Sequence, residues 1–156
     1  MKIPYVLKGP PSQTFKEVFP GTKGIFKPQI KLAIQYGAIK ETIFALVDSG
    51  ADACLFPKGI AELLGIQIRK GERIDFTGIS GTQTPFFFHE VEFFLGPFYV
   101  KTKAGFSLND NIGVGAILGQ KGFFEHFLIP YDYKNKFLEI KKHSLIDELT
   151  SRLSAN

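Results

Sequence analysis

Two carboxylates, Asp48 and Asp52, lie among small side chains in the stretch Ala45-Leu46-Val47-Asp48-Ser49-Gly50-Ala51-Asp52-Ala53. The apolar residues up to Val47 deliver Asp48 into Ser49-Gly50-Ala51. A second apolar run, Ala53 to Phe56, leads away. A carboxylate placed this way either caps a turn or is displayed for chemistry, and a displayed carboxylate does acid–base work. Asp-Ser-Gly alone is a common turn, so the rest of the chain has to decide between the two.

The other chemistry-bearing residues offer less. His89, His126 and His143 are far apart and none has His-x-x-x-His spacing, so they read as surface or satisfied core histidines, and no metal site is expected. Cys54 stands in the apolar run after the aspartates and reads as a small buried hydrophobe rather than a nucleophile. As the single cysteine it allows no intrachain disulfide, which points to a reducing compartment. Gly113-Val114-Gly115 through Gly119 superficially resembles a phosphate-binding loop. Its Gly-x-Gly-x-x-x-Gly spacing and the lack of a surrounding βαβ pattern argue against a nucleotide. No cofactor is implied.

The elements that must hold these residues are strands. Phe is abundant (17) while Trp is absent, and Phe on short alternating runs suits a pleated, half-buried surface. Ile30, Leu32 and Ile34 alternate with polar or small residues, which predicts a strand. Tyr36-Gly37-Ala38 turns the chain, and Thr42 to Val47 is apolar enough to be the central return strand. Pro57 opens a short helix over 58–64, ended by Gly65. Strands are expected over 66–69 and 73–77. The turn Gly78-Ile79-Ser80-Gly81 then joins the second of these to a long alternating strand through Leu95, and Gly96-Pro97 leads to another over 98–103. The Phe-rich runs 86–88 and 93–94 read as core or subunit interface. Phe123, Phe124 and Phe127 have helical spacing, predicting a short helix over 120–127. A last hairpin spans 128–141. Ser144 and Asp147 resemble a capping box that starts a terminal helix.

Dense Gly and Pro over 8–28 predict an irregular arm. The chain therefore divides into a strand and arm at 1–27, one all-β domain at 28–141, and a C-terminal helix at 142–156. Its 19 basic and 15 acidic residues are scattered, and no basic-aromatic motif is present, so no nucleic-acid partner is expected. No apolar run approaches the ~20 residues that span a bilayer, and there is no signal-peptide core. The expectation is a cytoplasmic protein with no membrane partner.

Three features occur in order. Asp48-Ser49-Gly50 ends a central apolar strand, a glycine-tipped hairpin follows about 30 residues on, and Ile117-Leu118-Gly119 comes about 70 residues on. In this order they resemble the retropepsin-like aspartic proteases, the single-domain family that includes retroviral proteases. The family pattern of apolar-apolar-Asp-(Thr/Ser)-Gly-Ala, flap hairpin and apolar-apolar-Gly reads here as Leu46-Val47-Asp48-Ser49-Gly50-Ala51, Gly78 to Gly81, and Ile117-Leu118-Gly119.

The resemblance implies a closed acid-protease β-barrel. It carries a flap hairpin and a short helix after Ile-Leu-Gly; the C-terminal helix and the arm at 8–28 have no counterpart in the family pattern. It implies an aspartic endopeptidase with Asp48 catalytic, in which two Asp48 carboxylates share a proton and activate a water. Ser49 would hydrogen-bond across two chains, to the backbone just before the partner's aspartate. The Gly50 carbonyl would meet the substrate backbone, with Ala51 completing the loop, and Asp52 would bind substrate backbone. Gly78, Ile79, Ser80 and Gly81 would form the mobile flap tip over the substrate, and Ile117, Leu118 and Gly119 would support the loop from beneath. The chain departs from relatives that have Arg after the second motif, here Gln120 and Lys121, and Arg-Pro before the first strand, here Lys27-Pro28. Only one Asp-Ser-Gly is present, so an active enzyme must be a homodimer acting on peptide or unfolded protein. The alternative is a non-catalytic dimerisation or peptide-binding module on the same fold.

Overall fold

The computed structural model describes residues 1–78, 81–111 and 115–143. In chain order it contains β1 (Lys2–Pro4), β2 (Val6–Gly9), α1 (Gln13–Val18), β3 (Ile25–Lys27), β4 (Gln29–Tyr36) and β5 (Ile39–Val47). Then come β6 (Leu55–Phe56), α2 (Lys58–Leu63), a 3-10 turn at Ile68–Lys70, β7 (Glu72–Thr77), β8 (Gln83–Leu95) and β9 (Phe98–Ser107). Short strands finish it: β10 (Ile117–Leu118), β11 (Phe127–Leu128), β12 (Tyr131–Asp132), β13 (Phe137–Glu139) and β14 (Lys141–Lys142). No helix among the described residues is long and apolar enough to cross a membrane.

One large sheet runs in the order β4-β5-β10-β6-β9-β8-β7, and β4 also pairs with β8, so the pairings return to the strand they start from. The alternation in β4 sets its register. Ile30, Leu32 and Ile34 point into the core and their neighbours do not, as period two requires. β4 and β5 pair antiparallel from Gln29↔Leu46 to Tyr36↔Ile39. The core is aromatic at its centre. Phe56 packs against Phe106 and Phe93 at ring separations of 5.5 and 6.0 Å, and all three rings are fully buried. Truncating any of them to Ala removes a ring from a packed interior, a change that costs about 3–5 kcal/mol.

Several expectations need correction. The arm is not irregular throughout: β2 pairs with β3, and α1 lies between them with Ser12 as its cap, the Ser12 Oγ accepting the Phe15 N–H at 3.2 Å. No strand forms over 66–69: residues 66–67 are irregular and the 3-10 turn starts at Ile68. The helix expected after Ile-Leu-Gly is a run of turns. Gly122 there has φ +96°, a left-handed backbone that no α-helix accommodates, and it divides the segment. Phe123 and Phe127 are nonetheless both in the core. The predicted C-terminal helix from Ser144 lies outside the described residues, as do Ile79, Ser80, Gly113 and Val114.

Candidate active site

Asp48 is the first residue past β5, and the neighbouring backbone determines where it sits. β10 runs parallel to β5, with Ile117 opposite Leu46 and Leu118 opposite Val47. The Leu46 N–H donates to Ala116 O at 2.8 Å, and the Asp48 N–H donates to Leu118 O at 3.0 Å. Beyond Asp48 the chain folds back as a tight turn. The Asp48 Oδ1 accepts the Gly50 N–H at 2.9 Å, and the Asp48 carbonyl accepts the Ala51 N–H at 3.2 Å. That is the turn an aspartate followed by small residues favours. The turn reading of Asp48 is thus what its local bonding shows, and the side chain is half-buried.

The segment after β10 clasps this loop. The Gln120 N–H donates to Ala51 O at 2.8 Å, the Lys121 N–H to Asp52 O at 2.9 Å, and the Cys54 N–H to Lys121 O at 2.9 Å. The Gln120 side chain reaches over the turn and its Nε2 donates to Ser49 O at 3.0 Å. Ile117 faces the loop, while Leu118 is fully buried beneath it. At Gly119 a side chain would have no room: a Cβ there would meet Ala51 O at 2.7 Å and the Ala53 carbonyl closer still.

Beside the loop is a cleft of about 220 Å³. Gly50, Ala51 and Asp52 border it on one side and Leu55 and Ile117 form its apolar wall. Phe76, Gly78 and Phe86 border it from the side of β7 and β8. Ser49 and Asp52 are exposed, and among the described residues Asp52 forms no ion pair. Gly81 is exposed with φ +77° at the hairpin end. A larger hollow of about 510 Å³, bordered by Gln35, Tyr36, His89 and Glu92, does not reach the Asp48 loop. His89 there is a satisfied core histidine, its Nε2 2.9 Å from Ile68 O. No group of three or more His, Cys, Asp or Glu suited to a metal occurs among the described residues.

The same architecture occurs in solved structures. A retropepsin-like aspartic protease from Rickettsia conorii matches with TM-score 0.53 and 20% identity, over 72% of this chain and 89% of that one. The retroviral protease-like domain of Ddi1 from Leishmania major matches with TM-score 0.50 and 20% identity, over 73% of this chain and 89% of that one. The fold is retropepsin-like. EIAV protease complexed with the inhibitor HBY-793 gives TM-score 0.48 and 21% identity, over 60% of this chain and 82% of that one. No protein-family model matches the sequence, and no curated protein does.

On this retropepsin-like frame, two neighbours of the Asp48 loop were not singled out by sequence reasoning. Gln120 stands where relatives often have Arg, and its side chain holds the Ser49 carbonyl. Tyr131 belongs to the last hairpin, and its hydroxyl donates to Val47 O at 3.2 Å. Its pKa is raised by burial first, then by the nearby Tyr5 and the Asp48 carboxylate. Cys54 is fully buried, and burial pushes its thiol up to about 12, the backbone at Gly119 only partly opposing this. A thiol reagent such as Ellman's reagent at about pH 8 should therefore leave the native protein unmodified and label one thiol per chain in denaturant. Labelling at the rate of a free thiol under native conditions would contradict the packing.

Proposed function

We propose that the chain is an aspartic endopeptidase that works as a homodimer, two Asp48 carboxylates meeting on a two-fold axis. The observation that carries this reading is the clasped Asp48 turn set beside a largely apolar cleft that Gly50, Ala51 and Asp52 of the same loop border. One described chain supplies one such aspartate and one cleft of side-chain size. A second copy related by a two-fold axis supplies the other half. Two structures that match at TM-score 0.5 or better are, by name, an aspartic protease and a protease-like domain.

In the dimer the two carboxylates share one proton, because like charges at contact distance do not both ionise. The ionised member takes a proton from a bound water, and the protonated member donates to the scissile carbonyl. The tetrahedral intermediate then collapses with the proton delivered to the leaving amine, and no covalent enzyme intermediate forms. Gly50 leaves room for the substrate backbone, Asp52 binds it at the edge of the cleft, and the hairpin from Gly78 to Gly81 closes over it. Ile117, Leu118 and Gly119 support the loop.

The test is hydrolysis of unfolded protein or a peptide library across about pH 3–7, with dilution series read by light scattering. Cleavage that disappears as dimers dissociate supports the reading. No cleavage at any concentration sinks it. Peptide binding without turnover, unaffected by Asp48→Asn, supports instead a peptide-binding or dimerisation module on this fold.

A further inference from the structure

The Asp48 loop hangs from the end of β5, and one bond at that end is not made by the sheet. β4 and β5 pair antiparallel up to Gln29↔Leu46, which puts Pro28 opposite Val47. The Val47 N–H duly donates to Pro28 O at 2.8 Å. In such a pair the opposite residue normally returns the bond, its own N–H donating to the facing carbonyl. Pro28 has no N–H. The Val47 carbonyl, on a residue only 3% exposed and directly before Asp48, is thus left without its ladder donor. An unmet buried carbonyl is costly and lets the strand end shift.

The missing donor is the Tyr131 hydroxyl, 3.2 Å from Val47 O and 84 residues away in sequence. Tyr131 is itself mounted firmly. It pairs with Leu138 across β12 and β13, and β13 pairs with the N-terminal strand β1. The Tyr5 N–H closes the same corner on Lys136 O at 2.8 Å. The small sheet built from the two ends of the described chain therefore delivers one hydroxyl to the peptide that carries Asp48. Asp48 also lies near enough for its charge to raise the phenol further, after burial and Tyr5.

We propose that Tyr131 is a positioning residue for the Asp48 loop, its hydroxyl replacing the donor that Pro28 lacks and so fixing the Val47–Asp48 peptide. The catalytic consequence rests on the aspartic protease reading above; the structural one does not. The mechanism needs Asp48 held to a fraction of an ångström, and the peptide unit before it is the natural place to secure it.

The test compares wild type with Tyr131→Phe, Pro28→Ala/Tyr131→Phe and Pro28→Ala, each checked for dimerisation. Tyr131→Phe removes only the hydroxyl, and Pro28→Ala in that background restores a backbone N–H opposite Val47. The expected result is that Tyr131→Phe lowers kcat by about tenfold with KM changed less than about twofold, and that the double variant recovers most of the loss. An unchanged kcat in Tyr131→Phe overturns the proposal. A lowered kcat that the double variant does not recover overturns it too, because the effect then does not pass through the Val47 carbonyl. The same proteins are read by NMR, which does not depend on activity. The Val47 carbonyl resonance should move on Tyr131→Phe and return with Pro28→Ala. If wild type cleaves nothing while this resonance behaves as stated, the protease reading fails and the role of Tyr131 stands. A resonance that does not move overturns the role of Tyr131 whatever the activity.

Discussion

Asp48→Asn should abolish peptide-bond hydrolysis, by on the order of 10³-fold or more, and leave the protein folded. The two halves of that outcome have separate causes. Asn keeps the Oδ1 oxygen that accepts the Gly50 N–H at 2.9 Å, so the turn keeps its internal bond, and the backbone clasp through Leu118 O does not involve the side chain. The melting temperature should therefore stay within a few degrees of wild type. What Asn lacks is the ability to hold or release a proton, and that is the whole of the proposed chemistry. The dimer makes a sharper statement. When wild-type and Asp48→Asn chains are unfolded together in equal amounts and refolded, random pairing leaves about one quarter of the dimers with two aspartates. Activity should fall to about that share of an all-wild-type sample at the same total concentration. A fall to about one half would mean that each chain works alone. Activity should also be highest on the acid side of neutral and fade as the shared proton is lost at higher pH. A variant that cleaves as fast as wild type would remove Asp48 from the mechanism.

Much of this was legible in the sequence where the information is local. The alternation of Ile30, Leu32 and Ile34 encodes a strand with one buried face, and the strand before Asp48 and the hairpin over 72–95 follow from the same period-two logic. Ile117-Leu118 is apolar in sequence, and the structure makes it strand β10, covered on both sides between β5 and β6. The errors arise where a single residue overrides a pattern. Gly122 donates its N–H to Glu125 Oε1 at 2.8 Å from a left-handed backbone, so a segment with helical Phe spacing becomes a series of turns. The helix Gln13–Val18 was hidden by the prolines around it. Its signal was Ser12 three residues before Phe15, but a six-residue helix with no buried side chain has no hydrophobic stripe to reveal it. The Tyr131–Val47 bond was not legible at all. It depends on the antiparallel register placing Pro28 opposite Val47, and on a small sheet bringing in a hydroxyl from the far end of the chain.

The second large effect is expected at Gly119, which the resemblance marked only as part of the Ile-Leu-Gly signature. Its role here is to let two backbones approach. The loop from Ala51 to Ala53 lies so close to Gly119 that a Cβ would meet Ala51 O at 2.7 Å and press harder still on the Ala53 carbonyl. Neither neighbour is a side-chain end that can rotate away. To admit one methyl group, the clasp must open, and the bonds from Gln120 N–H to Ala51 O and from Lys121 N–H to Asp52 O lengthen together. Overpacking of this kind, with backbone bonds strained alongside it, costs at least about 3 kcal/mol, which for a chain of this size is a drop of roughly 6–12 °C in Tm. Because the same clasp sets the height of the Asp48 loop, whatever folded protein remains should also cleave poorly. Gly78→Ala is the matched control: nothing lies within 4 Å of a Cβ there, so stability should change by no more than about 0.5 kcal/mol. The pair is compared by thermal melting under identical conditions. If Gly119→Ala melts within 2 °C of Gly78→Ala, as a rough bound on measurement scatter, the loop is not held by close backbone contact, and the account of how β10 positions Asp48 is wrong.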